Sequence, residues 1–281
     1  MLPDFKKEKT MTEAYSDFAA VYDTLMDNIP YDEWFSYLHE LLTEYGINSG
    51  IIAELGCGTG SITERLAKSG YDMIGIDNSP SMLDVAESKK ADNNSSSLYL
   101  CQDMREFELY GTVAACISIC DSINYIIEAD ELITVFKLVN NYLDPKGIFI
   151  FDFNTKHYYK DVVADATIAE DRDDISFIWD NYYDEDYDIN ELSLSIFIKE
   201  NPKHNNKKQD NTKNTETNSD NDNLYRKYEE LHLQRGYTLS EIIELIEESG
   251  LEFVASYDAF TKNPADENCE RIYVIARELG K

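Results

Sequence analysis

Basic residues are scarce in this chain. Its 281 residues carry 25 Lys and Arg against 55 Asp and Glu, a formal charge of −30. Such an acidic surface repels phosphate backbones and anionic lipid. A nucleic-acid substrate would need a local basic groove, and no Lys/Arg cluster would build one apart from a short mixed tract at 203–213. Long apolar runs are missing as well: none approaches the roughly 18 residues of a membrane span. The opening Met1-Leu2-Pro3-Asp4-Phe5-Lys6-Lys7 has no apolar stretch behind its lysines, so no secretory signal is expected. The five cysteines (Cys57, Cys101, Cys116, Cys120, Cys269) show no paired spacing. They are expected to be reduced core thiols of a cytoplasmic protein rather than a disulfide frame or zinc site. The four histidines (His39, His157, His204, His232) form no ligand spacing, and no metal site is expected.

Hydrophobic residues, at 43%, suffice for a full core. Phe18, Ala19, Tyr22, Leu25 and Met26 fall at helical spacing, and Trp34, Phe35, Leu38, Leu41, Leu42 and Tyr45 mark a second helix stopped by Gly46. Short apolar runs then alternate with helical ones. Strands are expected at 51–55, 71–76, 97–102, 113–119 and 148–153, the last after a turn at 144–147. Helices are expected at 61–69, from Ser79-Pro80 and at 131–143. This alternation implies an open parallel sheet with right-handed crossovers. The pattern then changes. Strands at 176–183, 192–199 and 225–234 flank an Asn-rich segment, 201–223, too polar to order itself, which reads as a disordered hairpin loop. Thr238 and Glu241 form a capping-box arrangement before a helix that Gly250 stops. Two last strands, 251–257 and 271–277, are expected as an antiparallel edge pair.

The strongest chemical signal is Glu54-Leu55-Gly56-Cys57-Gly58-Thr59-Gly60, between a strand and a helix. Its glycines let the backbone turn sharply and approach a ligand, and the helix N-terminus offers free N–H groups. Asp77 ends the second strand, 17 residues after Gly60, where an acidic residue accepts from ribose hydroxyls. Asp103 and Met104 follow the third strand, a carboxylate for an adenine amino group beside a side chain for the ring. The fourth strand runs into Cys120-Asp121-Ser122-Ile123-Asn124-Tyr125, at the carboxyl edge where ligands bind in such sheets. A dinucleotide fingerprint would need glycine at the position of Ser61, so a nicotinamide-dependent oxidoreductase is disfavoured.

Together these segments resemble the class I S-adenosylmethionine-dependent methyltransferases, over roughly residues 15–155. The resemblance implies an α/β, Rossmann-like, mostly parallel seven-stranded sheet with an antiparallel final strand, plus a small inserted antiparallel sheet. It divides the chain into a donor-binding domain, 1–170 and 236–281, and a substrate cap, 171–235. It implies S-adenosyl-L-methionine as donor, S-adenosyl-L-homocysteine as product, and donor contacts from Tyr22, Glu54, Gly56, Cys57, Gly58, Gly60, Asp77, Asn78, Met82, Asp103, Met104 and Cys120. Tyr22, the Asp103-Met104-Arg105-Glu106-Phe107 segment and the inserted strands are similar to the branch that methylates small molecules, such as the sugar-amine N-methyltransferases. The expectation is therefore methyl transfer to a small-molecule nitrogen or oxygen by a monomer or homodimer, with Tyr22, Asp121 and Tyr125 as candidate proton acceptors. His157 and His232 are placed where they could face the pocket. The alternatives are an RNA or tRNA methyltransferase, disfavoured by charge and by the absence of an Asn/Asp-Pro-Pro-Tyr segment after strand four, and a donor-binding protein without catalysis.

Overall fold

A computed structural model describes residue 19 and residues 22–26, 30–200 and 224–281. The proposed disordered loop at 201–223 lies outside the described residues, as does Phe18. Strands β1 (Ile51–Leu55), β2 (Asp72–Asp77), β3 (Leu98–Cys101), β4 (Val113–Ser118), β5 (Leu143–Asn154), β10 (Leu251–Asp258) and β11 (Arg271–Glu278) form one sheet in the order β10-β11-β5-β4-β1-β2-β3. The pairs β1–β2, β1–β4, β2–β3 and β4–β5 are parallel. Only β11 runs against its neighbours. The two last strands are not simply an edge pair: β11 slots between β5 and β10, leaving β10 at the rim. Its side chains explain this, because Ile272, Tyr273, Val274, Ile275 and Ala276 are all buried, on both faces.

Side-chain alternation along β5 divides the core. Phe149, Phe151 and Phe153 point to one face, where they meet Phe136 of α4 (Ala129–Tyr142) and Ile242 and Ile246 of α5 (Leu239–Glu248). Ile148 and Ile150 point to the other, against Leu38 and Leu41 of α1 (Tyr31–Glu44) and Ile62 and Leu66 of α2 (Ser61–Lys68). Helices on both faces of a parallel sheet follow from strands that are apolar on both sides. Helix α3 (Pro80–Asn93) opens as expected, with Ser79 accepting from the Met82 N–H. The Thr238–Glu241 capping box is complete. The expected turn at 144–147 is a bulge within β5: the register against β4 jumps from Leu143 to Ile148, and Lys146 sits at φ 66°.

The inserted sheet has four strands, β6 (Thr167–Asp171), β7 (Ile175–Asp184), β8 (Ile189–Lys199) and β9 (Tyr225–Arg235), all antiparallel. Sequence reasoning missed β6, whose residues are all exposed and lack any apolar alternation. Ile175, Leu194 and Ile196 on the inner face of the sheet pack with Ala19, Tyr22 and Leu25 of the N-terminal segment and with Met82 and Val85 of α3. Arg172 donates to the Thr24 carbonyl at 2.6 Å, and Gln234 donates to Asp121 at 2.8 Å. These contacts hold the sheet over the carboxyl edge of the main one. Of the cysteines expected in the core, Cys57, Cys116 and Cys269 are buried, Cys120 is half-buried and Cys101 is exposed. No described helix is long and apolar enough to cross a membrane.

Candidate active site

The glycine loop bends through three left-handed residues, Gly56, Gly58 and Gly60. Two of the glycines are needed for packing or for ligand room in different ways. At Gly56 a Cβ would stand 2.5 Å from the Ser122 hydroxyl and 3.5 Å from the Met104 methyl, so the loops after β1, β3 and β4 close on one another there. At Gly58 a Cβ would meet nothing within 4 Å, which leaves open space directly above the backbone. Its N–H donates to Asp77 Oδ2 at 2.8 Å, and the Ser79 N–H donates to Asp77 Oδ1 at 2.8 Å. Asp77 is thus the hinge between loop and strand β2. Burial pushes its carboxyl up, and the two N–H groups pull it back. Each oxygen retains lone pairs for a diol.

Beneath the loop, Glu54 is 3% exposed and accepts from the Thr63 hydroxyl. Burial pushes its carboxyl up to about 8. The folded protein therefore holds a proton that the unfolded chain releases near 4.5. Stability is unaffected below that range, falls as pH rises through it, and levels off above pH 8. At 1.36 kcal/mol per unit the cost is about 3 kcal/mol by neutral pH. Glu54→Gln is expected to flatten that slope in urea unfolding measured from pH 5 to 8, whereas parallel slopes for the two proteins would refute the assignment. Cys57 points away from the open space, into a small cluster with Leu83, Ala86 and Tyr99, and burial pushes its thiol well up. Its sulfur is therefore committed to packing.

The N-terminal segment is moored to this loop. Thr59 donates to Asp23 at 2.8 Å, and Lys89 of α3 bridges to Asp23 at 2.7 Å and to Thr59 at 2.9 Å. That clamp sets Tyr22 against Tyr31, Cys120, Tyr125 and Asp121, and burial pushes its phenol well up. Asn78 is exposed next to Asp77, and Met82 packs under the inserted sheet. Asp103 differs from the simple expectation: Arg105 holds both its oxygens, at 2.9 and 2.6 Å, and keeps the carboxyl below its usual range.

The turn after β4 carries the most constrained group. Cys120 and Asp121 are both left-handed, at φ 61° and 53°. Their N–H groups donate to Asp152, which is fully buried on β5, and Arg271 of β11 bridges Asp152 and Asp121 at 2.8 Å each. Burial pushes the Asp121 carboxyl up against the pull of Arg271. Sequence reasoning named Asp121 and missed Asp152 and Arg271. A lone carboxylate inside Ile148-Phe149-Ile150-Phe151-Asp152-Phe153 was the available signal, since such a charge must be paired. Of the two histidines, His157 pairs along its own helix with Asp161 at 2.9 Å, whereas His232 of β9 meets the Tyr125 hydroxyl at 3.2 Å.

Comparison with known proteins agrees with this geometry. Residues 52–147 match the family model of a methyltransferase domain. A Bacillus subtilis protein named as a methyltransferase, YqeM, is 32% identical over 94% of this chain and 97% of its own length. The crystal structure of an S-adenosylmethionine-dependent methyltransferase from Clostridium acetobutylicum is 25% identical and superimposes with a TM-score of 0.79, over 95% of this chain and 99% of that one. The sugar N-methyltransferase KedS8 of Streptoalloteichus shares the fold at 14% identity, with a TM-score of 0.67 over 91% of this chain and 92% of its own. On the relationship along nearly the whole chain and the shared fold, the chain belongs to the S-adenosylmethionine-dependent methyltransferases.

Proposed function

We propose that this enzyme methylates a nitrogen or oxygen of a small molecule held between the inserted sheet and the turn after β4. The observation that carries this is the closure of the cap. Its inner face is packed on the N-terminal segment and α3, and Gln234 donates to Asp121, so the sheet covers the carboxyl edge. A cavity of about 670 Å³ lies beside the same turn, lined by Asn154, Tyr158, Asp258, Phe260, Glu270 and Arg271. That volume suits a metabolite, and its acidic rim disfavours a phosphate backbone. The fold shared with a sugar N-methyltransferase supports the same acceptor class. Unpaired cysteines fit a cytoplasmic setting.

The donor supplies a methyl group already activated on sulfonium, so the protein's work is alignment, which can contribute about 7–11 kcal/mol. On this reading Asp77 and Asn78 hold the ribose, and the Gly56–Gly60 backbone receives the amino-acid portion above Glu54 and Cys57. Asp103, Met104 and Met82 bound the adenine, Asp103 accepting on lone pairs that Arg105 leaves free. Tyr22 and Cys120 close over the methyl, and Tyr22, Asp121 and Tyr125 surround the acceptor. Calorimetric titration with S-adenosylhomocysteine, then transfer of labelled methyl into a deproteinised metabolite extract and into bulk tRNA and rRNA, tests the assignment. Label is expected in the extract. Label confined to RNA, or binding of NADH without response to S-adenosylhomocysteine, would overturn it.

A further inference from the structure

Three side chains from two distant segments form a chain of hydrogen bonds at the acceptor side of the site. Tyr125, on the turn after β4, is 46% exposed, so its ring borders open space. Its hydroxyl lies 3.2 Å from His232 Nδ1, with the rings edge to face at 5.8 Å. On the far side of the imidazole, Nε2 lies 3.1 Å from Glu230 Oε2. His232 and Glu230 are two residues apart on β9 and therefore share its inner face. Their side chains are 11% and 3% exposed. Opposite them on β8 stand Leu192 and Leu194, both buried. The second oxygen of Glu230, Oε1, is buried without a hydrogen-bond partner among the described residues.

A carboxylate deep under an apolar strand, half satisfied, is costly to keep. Packing does not call for it. Its one polar contact is to the ring that touches Tyr125. The chemistry of the groups fixes the direction of the chain. A carboxylate only accepts, so Nε2 carries the hydrogen, and in the neutral ring Nδ1 is left to accept from the tyrosine hydroxyl. This is the arrangement in which an oriented imidazole activates a hydroxyl, with a carboxylate fixing the tautomer and stabilising the imidazolium.

Building on the methyl-transfer reading above, we infer that Tyr125 is the general base of the reaction, that His232 and Glu230 position and charge it, and that the acceptor is an amine. As the acceptor enters, an N–H proton passes to the Tyr125 oxygen while the tyrosine's own proton passes to His232 Nδ1. The freed nitrogen lone pair then forms the N–C bond as the C–S bond breaks, its electron pair going to sulfur. Sulfonium becomes thioether and its positive charge passes to the methylated nitrogen, while the charge of the proton removed beforehand is left on His232 against Glu230. Glu230 faces the ring on its other side, so the proton taken from the acceptor is held against a carboxylate. An unactivated alcohol is a far weaker acid than an alkylammonium and gives up its proton to this relay far less readily. The acidic rim of Asp258, Asp266 and Glu270 on the neighbouring cavity would draw in a cation. Other titratable groups around Tyr125 are Tyr22 of the N-terminal segment, Asp121 on its own turn and Tyr159 after β5, with Arg271 committed to Asp121.

The test uses the full chain and the metabolite extract, with the transfer rate read from pH 6 to 10 for wild type, His232→Gln, Glu230→Gln and Tyr125→Phe. Wild type is expected to form N-methyl products. His232→Gln and Tyr125→Phe should be slower at pH 7 by about a hundredfold, the lower end for general-base catalysis. Their rates should keep climbing with pH where wild type has levelled. Glu230→Gln should be slower than wild type across the range, because the imidazolium then forms without a facing carboxylate. S-adenosylhomocysteine affinity within threefold of wild type in all variants shows that the fold and donor site are kept. Unchanged rate and profile in His232→Gln would overturn the inference while leaving the methyltransferase reading intact, and so would O-methyl products. No label in the extract from wild type would instead sink the acceptor reading itself.

Discussion

Alanine at Asp77 is expected to weaken S-adenosylhomocysteine binding about a hundredfold. Hydrogen bonds to a charged group contribute roughly 1.5–3 kcal/mol each, and a ribose diol would make two. Each 1.4 kcal/mol is tenfold in affinity. The carboxylate has a second role that adds to the loss. Its oxygens already hold the Gly58 and Ser79 N–H groups, at 2.8 Å each, and so tie the glycine loop to the start of α3. Without it the loop must find its conformation on binding. The two contributions separate with a modified ligand. Wild type should discriminate strongly against 2′-deoxy S-adenosylhomocysteine, because that analogue forfeits one bond to the carboxylate. Asp77→Ala should not discriminate. An affinity within threefold of wild type, or discrimination that survives the substitution, would remove Asp77 from the ribose site.

Asp77 was legible in the sequence because its position depends on local spacing. A strand, a glycine turn, a helix and a second strand follow one another, and an acidic residue at the next strand end has a short list of places to be. The same holds for the Ser79 cap and the Thr238–Glu241 capping box, each closed within three residues. Apolar runs located the strands of the main sheet, and their alternation with helical segments gave the parallel order with crossovers. What escaped depends on contacts distant in sequence. Arg271 reaches Asp121 across 150 residues, and Tyr125 reaches His232 across 107. Neither separation leaves a mark in a local window. Strand β6 escaped for a different reason. It is an exposed strand, so selection for apolar alternation never acted on it, and Thr167-Ile168-Ala169-Glu170-Asp171 reads as loop. Asp103 was found in place, but its clasp by Arg105 two residues on was not foreseen.

Arg271→Met is expected to be the most damaging single change to the fold. The guanidinium is the shared partner of two carboxylates, one of them, Asp152, fully buried, and it lies over the Trp34 ring at 5.1 Å. Burial opposes its charge, and Asp152 and Asp121 together outweigh that opposition. Methionine fills much of the same space but leaves the two carboxylates facing each other without a cation. Breaking a buried pair in this way costs about 3–5 kcal/mol. At roughly 2–4 °C per kcal/mol for a chain of this order, Tm should fall by about 10 °C. Removing all three charges together, Asp121→Asn, Asp152→Asn and Arg271→Met, should be less destabilising than the single change, because no charge is then stranded. Activity should not return with stability. The left-handed backbone at Cys120 and Asp121 is sparsely populated without support, at a cost of about 1–3 kcal/mol per residue. Asp152 supplies that support by accepting both N–H groups, and the same turn carries Tyr125 toward His232. The triple variant should therefore unfold near the wild-type temperature yet transfer methyl groups poorly. A single variant that melts within 2 °C of wild type would show that the triad contributes little to the fold. A triple variant with full transfer rate would show that the turn needs no buried carboxylate to hold Tyr125.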